Sequence, residues 1–120
     1  MTEIVVTVEL GGGTAGLTGG GVLHVRVQDV SLMDAPARTL AARSVPIPPG
    51  GVLPGRIALD FAAPADGPER YAASAVLNLG WTPSGAEWLR PGDWLSTTEH
   101  PVRPGDRAVA VRLERYDPGR

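Results

Sequence analysis

The segment LHVRVQ, residues 23–28, alternates one apolar side chain with one polar side chain. Successive side chains of a β-strand point to opposite faces of a sheet, so this pattern predicts a strand with one buried and one solvated face. Four further segments alternate in a similar way, at residues 4–10, 57–61, 71–79 and 109–113. Residues 38–45 and 94–98 are weaker candidates, which brings the expected total to about seven strands.

Turn-forming residues separate these segments. The 120-residue chain contains 16 glycines and 12 prolines, and many of them fall at 11–21, 46–55, 64–68 and 101–106. Proline removes a hydrogen-bond donor from a sheet and glycine supplies a positive φ, so both favour turns over strand interiors. We therefore predict an all-β fold, namely an antiparallel β-sandwich of about seven short strands.

One short helix is expected in an insertion, near residues 82–91, that lengthens a hairpin. Ser84 and Glu87 have the spacing of a capping box, in which the two side chains bond to each other's backbone amides. Pro91 and Gly92 follow closely and are typical of a helix end. The sequence therefore predicts a helix of less than two turns over Gly85–Arg90.

The composition excludes several kinds of chemistry. The chain has no cysteine, so disulfides, a thiolate nucleophile, cysteine zinc sites and acylation of a cysteine are excluded. All 11 basic residues are arginines, which excludes Schiff-base chemistry at a lysine and a phosphate-binding lysine. The arginines are scattered and the net charge is -2, so no nucleic-acid partner is expected.

The hydropathy pattern gives an expectation for location. No apolar stretch has the length of a membrane helix, and the first residues lack the basic region of a signal peptide. We expect no membrane insertion, and a cytoplasmic location for the sequence as it stands. A periplasmic or envelope location is expected instead if an N-terminal leader has been removed.

The polar residues do not predict a catalytic site. His24, Asp29, Ser31 and Asp34 include the side chains of a Ser-His-Asp triad. However, Asp29 and Ser31 close a strand, where such side chains favour bonds to turn amides. Ser31 also has no neighbouring glycine to help form an oxyanion hole. A hydrolase therefore ranks behind the binding functions, and we expect no enzymatic activity.

No metal or cofactor site is expected either. His24 and His100 are far apart in sequence and lack metal-ligand spacing. The glycines at 11–13 and 19–21 resemble a phosphate loop in composition, but a strand follows them where such a loop needs a helix. A flexible hairpin loop is the expected structure of residues 11–21.

The tryptophans are the strongest candidates for a binding site. Trp81, Trp88 and Trp94 are the only tryptophans of the chain, and Arg90 lies among them. They either cap one open end of the sandwich, where each buries a large apolar area, or form an exposed anchor for a partner. Tryptophan and arginine are both enriched at interface hot spots. The candidate partner-binding residues are therefore Trp81, Trp88, Arg90 and Trp94.

An ordered series of motifs spans roughly residues 21–111. The most specific is DVSLMDAP at 29–36, and VPI at 45–47, YAASA at 71–75 and WLSTTEHPV at 94–102 follow in order. In these features the chain resembles the YbaY-like proteins, the family that includes the YscW-type secretion pilotins. The resemblance implies a single YbaY-like β-sandwich domain over residues 1–120 with no catalytic role.

Members of this family are typically exported lipoproteins, and the pilotins escort an outer-membrane secretin. This chain differs from them in three features: it has no cysteine to acylate, a glycine-rich linker follows its first strand, and the tryptophan-bearing insertion lengthens one hairpin. The resemblance therefore implies the fold and a protein partner, while no partner-contact residue of the family maps onto a matching motif here.

Two binding functions remain open. The first is a non-enzymatic protein-binding or escort module that uses the hairpin between Trp81 and Trp94, or an exposed sheet edge. The alternative is a carrier of a small apolar ligand held between the sheets. In that alternative, four small side chains expected to point inward leave room for the ligand: Ala73, Ala75, Ala108 and Ala110. The sequence gives no indication of oligomeric state.

Overall fold

The computed structural model describes residues 2–10, 20–29, 38–51, 56–61, 71–97, 100–102 and 107–116. Within these ranges every regular element is a β-strand. The eight strands are β1 (Thr2–Leu10), β2 (Gly21–Asp29), β3 (Arg38–Ile47), β4 (Arg56–Phe61), β5 (Tyr71–Leu79), β6 (Trp94–Leu95), β7 (His100–Val102) and β8 (Ala108–Arg115).

The strands join in the order β3-β2-β5-β6-β8-β1-β4, and β7 also pairs with β5. β1 and β8 run parallel, with Val5 opposite Ala108, and the other pairs run antiparallel. β6 is only two residues long, yet it pairs with both β5 and β8. It therefore joins the half of the sheet that contains β2 to the half that contains β1.

The two ends of this order, β3 and β4, approach each other in space without pairing their backbones in the described ranges. We call this gap the seam. Arg43 on β3 bridges it, since its Nη1 donates to the carbonyl oxygen of Ala58 on β4 at 3.4 Å. The sheet is consequently a nearly closed barrel.

The predicted antiparallel sandwich is therefore wrong in architecture, although the described residues are all-β. A sandwich consists of two separate sheets, whereas here β6 connects the two halves and β1 pairs with β8 in parallel. The alternation of side chains could not show this difference, because a barrel and a sandwich both bury one face of each strand.

The interior is filled by the alternating apolar side chains. On β2, Leu23, Val25 and Val27 are buried, while Arg26 points outward and is exposed. Burying one such side chain stabilises the fold by roughly 1.5–3 kcal/mol. The other buried residues of this core are Ile4, Val6, Val8, Ile47, Ile57, Leu59, Tyr71, Ala73, Ala75, Leu77, Trp94, Val102, Val111 and Leu113.

The interior does not match the predicted ligand site between sheets. Ala73 and Ala75 are buried in the core as expected. Ala108 and Ala110 are exposed, because the inward positions of β8 are taken by Val111 and Leu113. The prediction that all four alanines point inward was therefore wrong for the two on β8.

The predicted helix at Gly85–Arg90 was also wrong. Gly85 has a φ of 71°, and Ser84 and Glu87 form an isolated antiparallel bridge across a tight turn. The amide of Arg90 donates to Asp93 Oδ2 at 2.9 Å instead of to a helical carbonyl. A helix of less than two turns is marginal by itself, so these contacts decide the backbone conformation.

A search of the described residues for a helix that is long and apolar enough to cross a membrane finds none.

Candidate functional site

Residues 80–93 join β5 to β6, and we call them the tryptophan loop. The loop folds back over the outward face of β5. Asn78 lies at an outward position of β5, next to the inward Leu77, yet it is fully buried. The side-chain nitrogen of Asn78 donates to the carbonyl oxygen of Trp88 at 3.0 Å. The loop therefore covers a polar side chain that would otherwise face water.

A buried carboxylate, Asp93, organises the loop. It accepts hydrogen bonds from Asn78 Nδ2, the Leu79 amide and the Arg90 amide, each at 2.9 Å. Trp81 Nε1 also donates to its Oδ2, at 3.0 Å. A polar side chain is costly to bury unless its hydrogen bonds are made. Four donors therefore hold both ends of the loop on one side chain.

The predicted partner-binding residues occupy different environments. Trp94 lies on β6, is 8% exposed and belongs to the core. Trp81 is partly buried, and the Arg90 guanidinium stacks 3.9 Å from the centroid of its ring. Trp88 is 53% exposed. The structure thus brings Trp81 and Arg90 together, exposes Trp88 on the same loop, and places Trp94 in the interior.

Arg90 also forms an ion pair within the loop. Its Nη2 lies 2.8 Å from Glu87 Oε1, and this hydrogen bond lowers the pKa of Glu87. Both side chains are about half exposed, so the pair adds little stability in water. Its effect is to hold the guanidinium over Trp81.

A groove of about 530 Å³ lies between the tryptophan loop and the outward face of β2, β3 and β5, and we call it the outer groove. Trp88 and Pro83 line it from the loop. Outward residues of the strands form its floor, with Val76 among the apolar ones and Arg26 among the charged ones. Among the described residues that line this groove there is no aspartate or glutamate.

His24 lies on the floor of the outer groove. Its Nδ1 is 2.7 Å from Ser44 Oγ, whereas its Nε2 is shielded and has no hydrogen-bond partner among the described residues, as is also true of Asn78 Oδ1. Burial lowers the pKa of His24, the Asn78 side chain acts in the opposite direction, and Arg26 lowers it further. The neutral imidazole is therefore favoured.

The contact between His24 and Ser44 does not extend to a catalytic triad, because in the described ranges no carboxylate is bonded to this imidazole. Ser31 and Asp34 lie outside the described residues, as do the glycines at 11–13 and Gly19. His100 is engaged elsewhere, since its Nε2 accepts from the Arg112 amide at 3.1 Å. A metal-binding group of three or more His, Asp or Glu side chains is not found in the ranges that the structure covers.

Sequence reasoning missed Asn78 and Asp93. Asn78 occupies a polar position of an alternating strand, as Ser74 does, and Asp93 follows a Pro-Gly turn. Neither pattern distinguishes a buried residue that organises a loop from a solvated one. Their role depends on how residues 80–93 fold back onto β5, which is a tertiary property.

Comparison with known proteins supports the fold. Among solved structures, the chain is similar to an alternative pilotin from the type II secretion system of Vibrio cholerae. The TM-score is 0.71 and the identity 24%, and the match covers 96% of this chain and 96% of that chain. At this identity the likeness establishes a pilotin-like fold. No family model matches the chain, and no curated protein matches it significantly in sequence.

Proposed function

We propose that the chain is a non-enzymatic module that binds another protein and escorts it. The observation that carries this proposal is Trp88, a large apolar side chain that is 53% exposed on a loop held by Asp93 and Asn78. Exposed apolar area gains free energy when a partner covers it, and tryptophan is the residue type most typical of interface hot spots.

The pilotin-like fold supports a protein partner, because a pilotin acts on another protein of its secretion system. The resemblance to the YbaY-like family and its YscW-type pilotins points in the same direction and suggests a secretin as the partner. The fold alone does not specify a function, so the proposal rests on the loop and takes the fold as support.

The candidate residues take distinct roles in this proposal. Trp88 and Arg90 contact the partner, and Trp81 supports the guanidinium of Arg90 from beneath. Trp94 anchors the end of the loop in the core. Because the loop is already fixed by hydrogen bonds to Asp93, little conformational entropy is lost when the partner binds.

The proposal is tested by cross-linking in the organism's own cells. The tagged chain and its Trp88→Ala variant are cross-linked and purified, and the attached proteins are identified by mass spectrometry. We expect one protein to be recovered with the unaltered chain and to fall by about tenfold with the variant, as for an interface residue whose truncation costs more than about 1 kcal/mol. Arg56→Ala, an exposed position on β4, is the control.

Deleting the gene tests the escort role separately. The partner identified by cross-linking should then decrease in amount or change its location in the cell. Equal recovery of every protein with Trp88→Ala would contradict the proposed binding surface. An unchanged amount and location of the partner after deletion would contradict the escort role.

A further inference from the structure

We propose that the outer groove binds a peptide segment of the partner in which a large apolar side chain lies next to an acidic residue. This inference rests on the proposed function, since it names the part of the partner that the module recognises. Two independent properties of the groove carry it, namely its apolar wall and its charge.

The apolar wall accounts for the large apolar side chain. Trp88 and Pro83 form one side of the groove, and Val76 and Ala42 contribute from the strands. The volume of about 530 Å³ lies within the range of ordinary binding pockets. An aromatic or long aliphatic side chain that enters here covers the exposed part of Trp88.

The charge of the groove accounts for the acidic residue. Arg26 lines the groove from an outward position of β2, and there is no carboxylate among the described residues that line it. Arg26 Nε donates to Ser74 Oγ at 3.2 Å. Within the described part of the chain, the Arg26 guanidinium is not paired with a carboxylate. Arg43 contributes no charge to the argument, because it lies opposite the inward Val25 and its guanidinium donates to Ala58 O across the seam.

This arrangement is local, because the chain as a whole has a net charge of -2. His24 favours its neutral form, so the positive charge of the groove comes from Arg26. Arginine is well suited to bind a carboxylate, since its guanidinium can donate two parallel hydrogen bonds. The charge therefore favours an acidic segment over a neutral or basic one.

Peptide selection tests this inference. Short random peptides are displayed on phage, selected on the complete chain and sequenced. We expect enriched peptides to carry Asp or Glu beside an aromatic or long aliphatic residue. The best peptide is then synthesised with its acidic residue or with the corresponding amide, and binding is measured by calorimetry. The amide should bind about fivefold more weakly, as expected for an exposed ion pair.

Three variants locate the peptide on the chain. Trp88→Ala should weaken binding of the acidic peptide by about tenfold. Arg26→Ala should weaken it by about fivefold and leave the amide peptide unaffected. Arg56→Ala is the matched control, because this arginine is exposed on β4 and does not line the groove. Arg43 is left intact, since it also bridges the seam. Circular dichroism melts establish that each variant is folded.

Selection of purely apolar peptides, or equal binding by the Arg26→Ala and Arg56→Ala variants, would overturn the inference. So would the absence of any enriched peptide. After any of these results, the proposed function still stands if the Trp88→Ala variant recovers less of the cross-linked protein from cells than the unaltered chain does. If the variant recovers as much of that protein, the proposed function itself fails.

Discussion

Asp93 and Asn78 are the two buried polar residues among those that the structure describes, and they are bonded to each other at 2.9 Å. Burying a polar group is unfavourable unless its hydrogen bonds are made. Asp93 receives four donors, and Asn78 donates to both Asp93 and the Trp88 carbonyl. The pair therefore specifies one conformation of the tryptophan loop.

Replacing Asp93 with alanine should destabilise the fold and release the loop. The amides of Leu79 and Arg90 and the side chain of Asn78 would lose an acceptor, so we expect unfolding free energy to fall by about 3 kcal/mol. Urea denaturation measures the change. Asp60→Ala is the control, because Asp60 is exposed on β4 and should change stability by less than about 0.5 kcal/mol. Equal losses in the two variants would contradict the role of Asp93.

His24 should make the stability depend on pH. Its pKa is lowered from the ordinary value of 6.5, first by burial, so the folded chain resists taking up this proton. As the pH falls below about 6.5, the unfolded chain is protonated first and the free energy of unfolding decreases. The loss is complete once the pH lies below the pKa of the folded state.

The variant His24→Gln removes this proton uptake. Urea denaturation of both proteins from about pH 8 to about pH 5 should therefore show the stability difference shifting in favour of the variant as the pH falls. A difference that stays constant over this range would mean that the pKa of His24 is not lowered by folding.

At the scale of elements, two glycines with nearly the same positive φ should respond differently to substitution. Gly20 and Gly85 have φ values of 72° and 71°. A Cβ on Gly20 would lie 2.6 Å from the carbonyl oxygen of Ile47 and 2.9 Å from Pro49 N, whereas a Cβ on Gly85 meets nothing within 4 Å. The first position is crowded as well as strained.

Gly85→Ala should therefore lower the free energy of unfolding by about 1 kcal/mol, the strain of a left-handed residue. Gly20→Ala should lower it by more than about 3 kcal/mol, because backbone atoms must move to admit the methyl group. Urea denaturation compares the two variants. Similar losses would show that strain alone, and not crowding, determines the effect of substitution at Gly20.

The elements that sequence reasoning predicted are those with a repeating pattern. Residues 23–28 and 71–79 alternate clearly, and both are strands of the structure. The predicted helix failed because Ser84 and Glu87 have the local spacing of a cap, while the structure depends on Asp93, which binds the Arg90 amide from outside the predicted helix. Local spacing does not report a distant acceptor.

The candidate site was predictable only in part. The concentration of tryptophan and arginine in one insertion is visible in the sequence, but the difference between Trp88 and Trp94 is not. Trp94 is buried because it begins β6, whereas Trp88 is exposed at the outer groove. The groove itself joins residues from three strands and a loop, so no single stretch of sequence contains it.

At the scale of the whole molecule, the seam should be the least protected part of the sheet. Among the described residues, β2 is paired on both edges, whereas β3 and β4 are each paired on one edge. Amides that face the seam have no backbone partner there within these ranges and should exchange hydrogen with water faster than the amides of β2. Hydrogen exchange followed by NMR measures this. Equal protection of β2, β3 and β4 would show that the barrel is fully closed in solution.

The order of the strands was beyond the reach of sequence reasoning for a physical reason. Alternation identifies the buried face of each strand, such as Ile4, Val6 and Val8 on β1. It does not identify which strand lies alongside, because apolar side chains pack against many neighbours equally well. The parallel pairing of β1 with β8 therefore comes from the structure alone.

That pairing has a consequence for the synthesis of the chain. Val5 lies opposite Ala108 and Leu10 opposite Leu113. β1 therefore cannot pair with β8 until on the order of 100 further residues have been synthesised, and such a separation slows folding. β4, the other neighbour of β1, leaves the ribosome much earlier than β8. Until residue 113 emerges, the edge of β1 that pairs with β8 keeps its backbone N–H and C=O groups unpaired, and this interval is when chaperones have access to it.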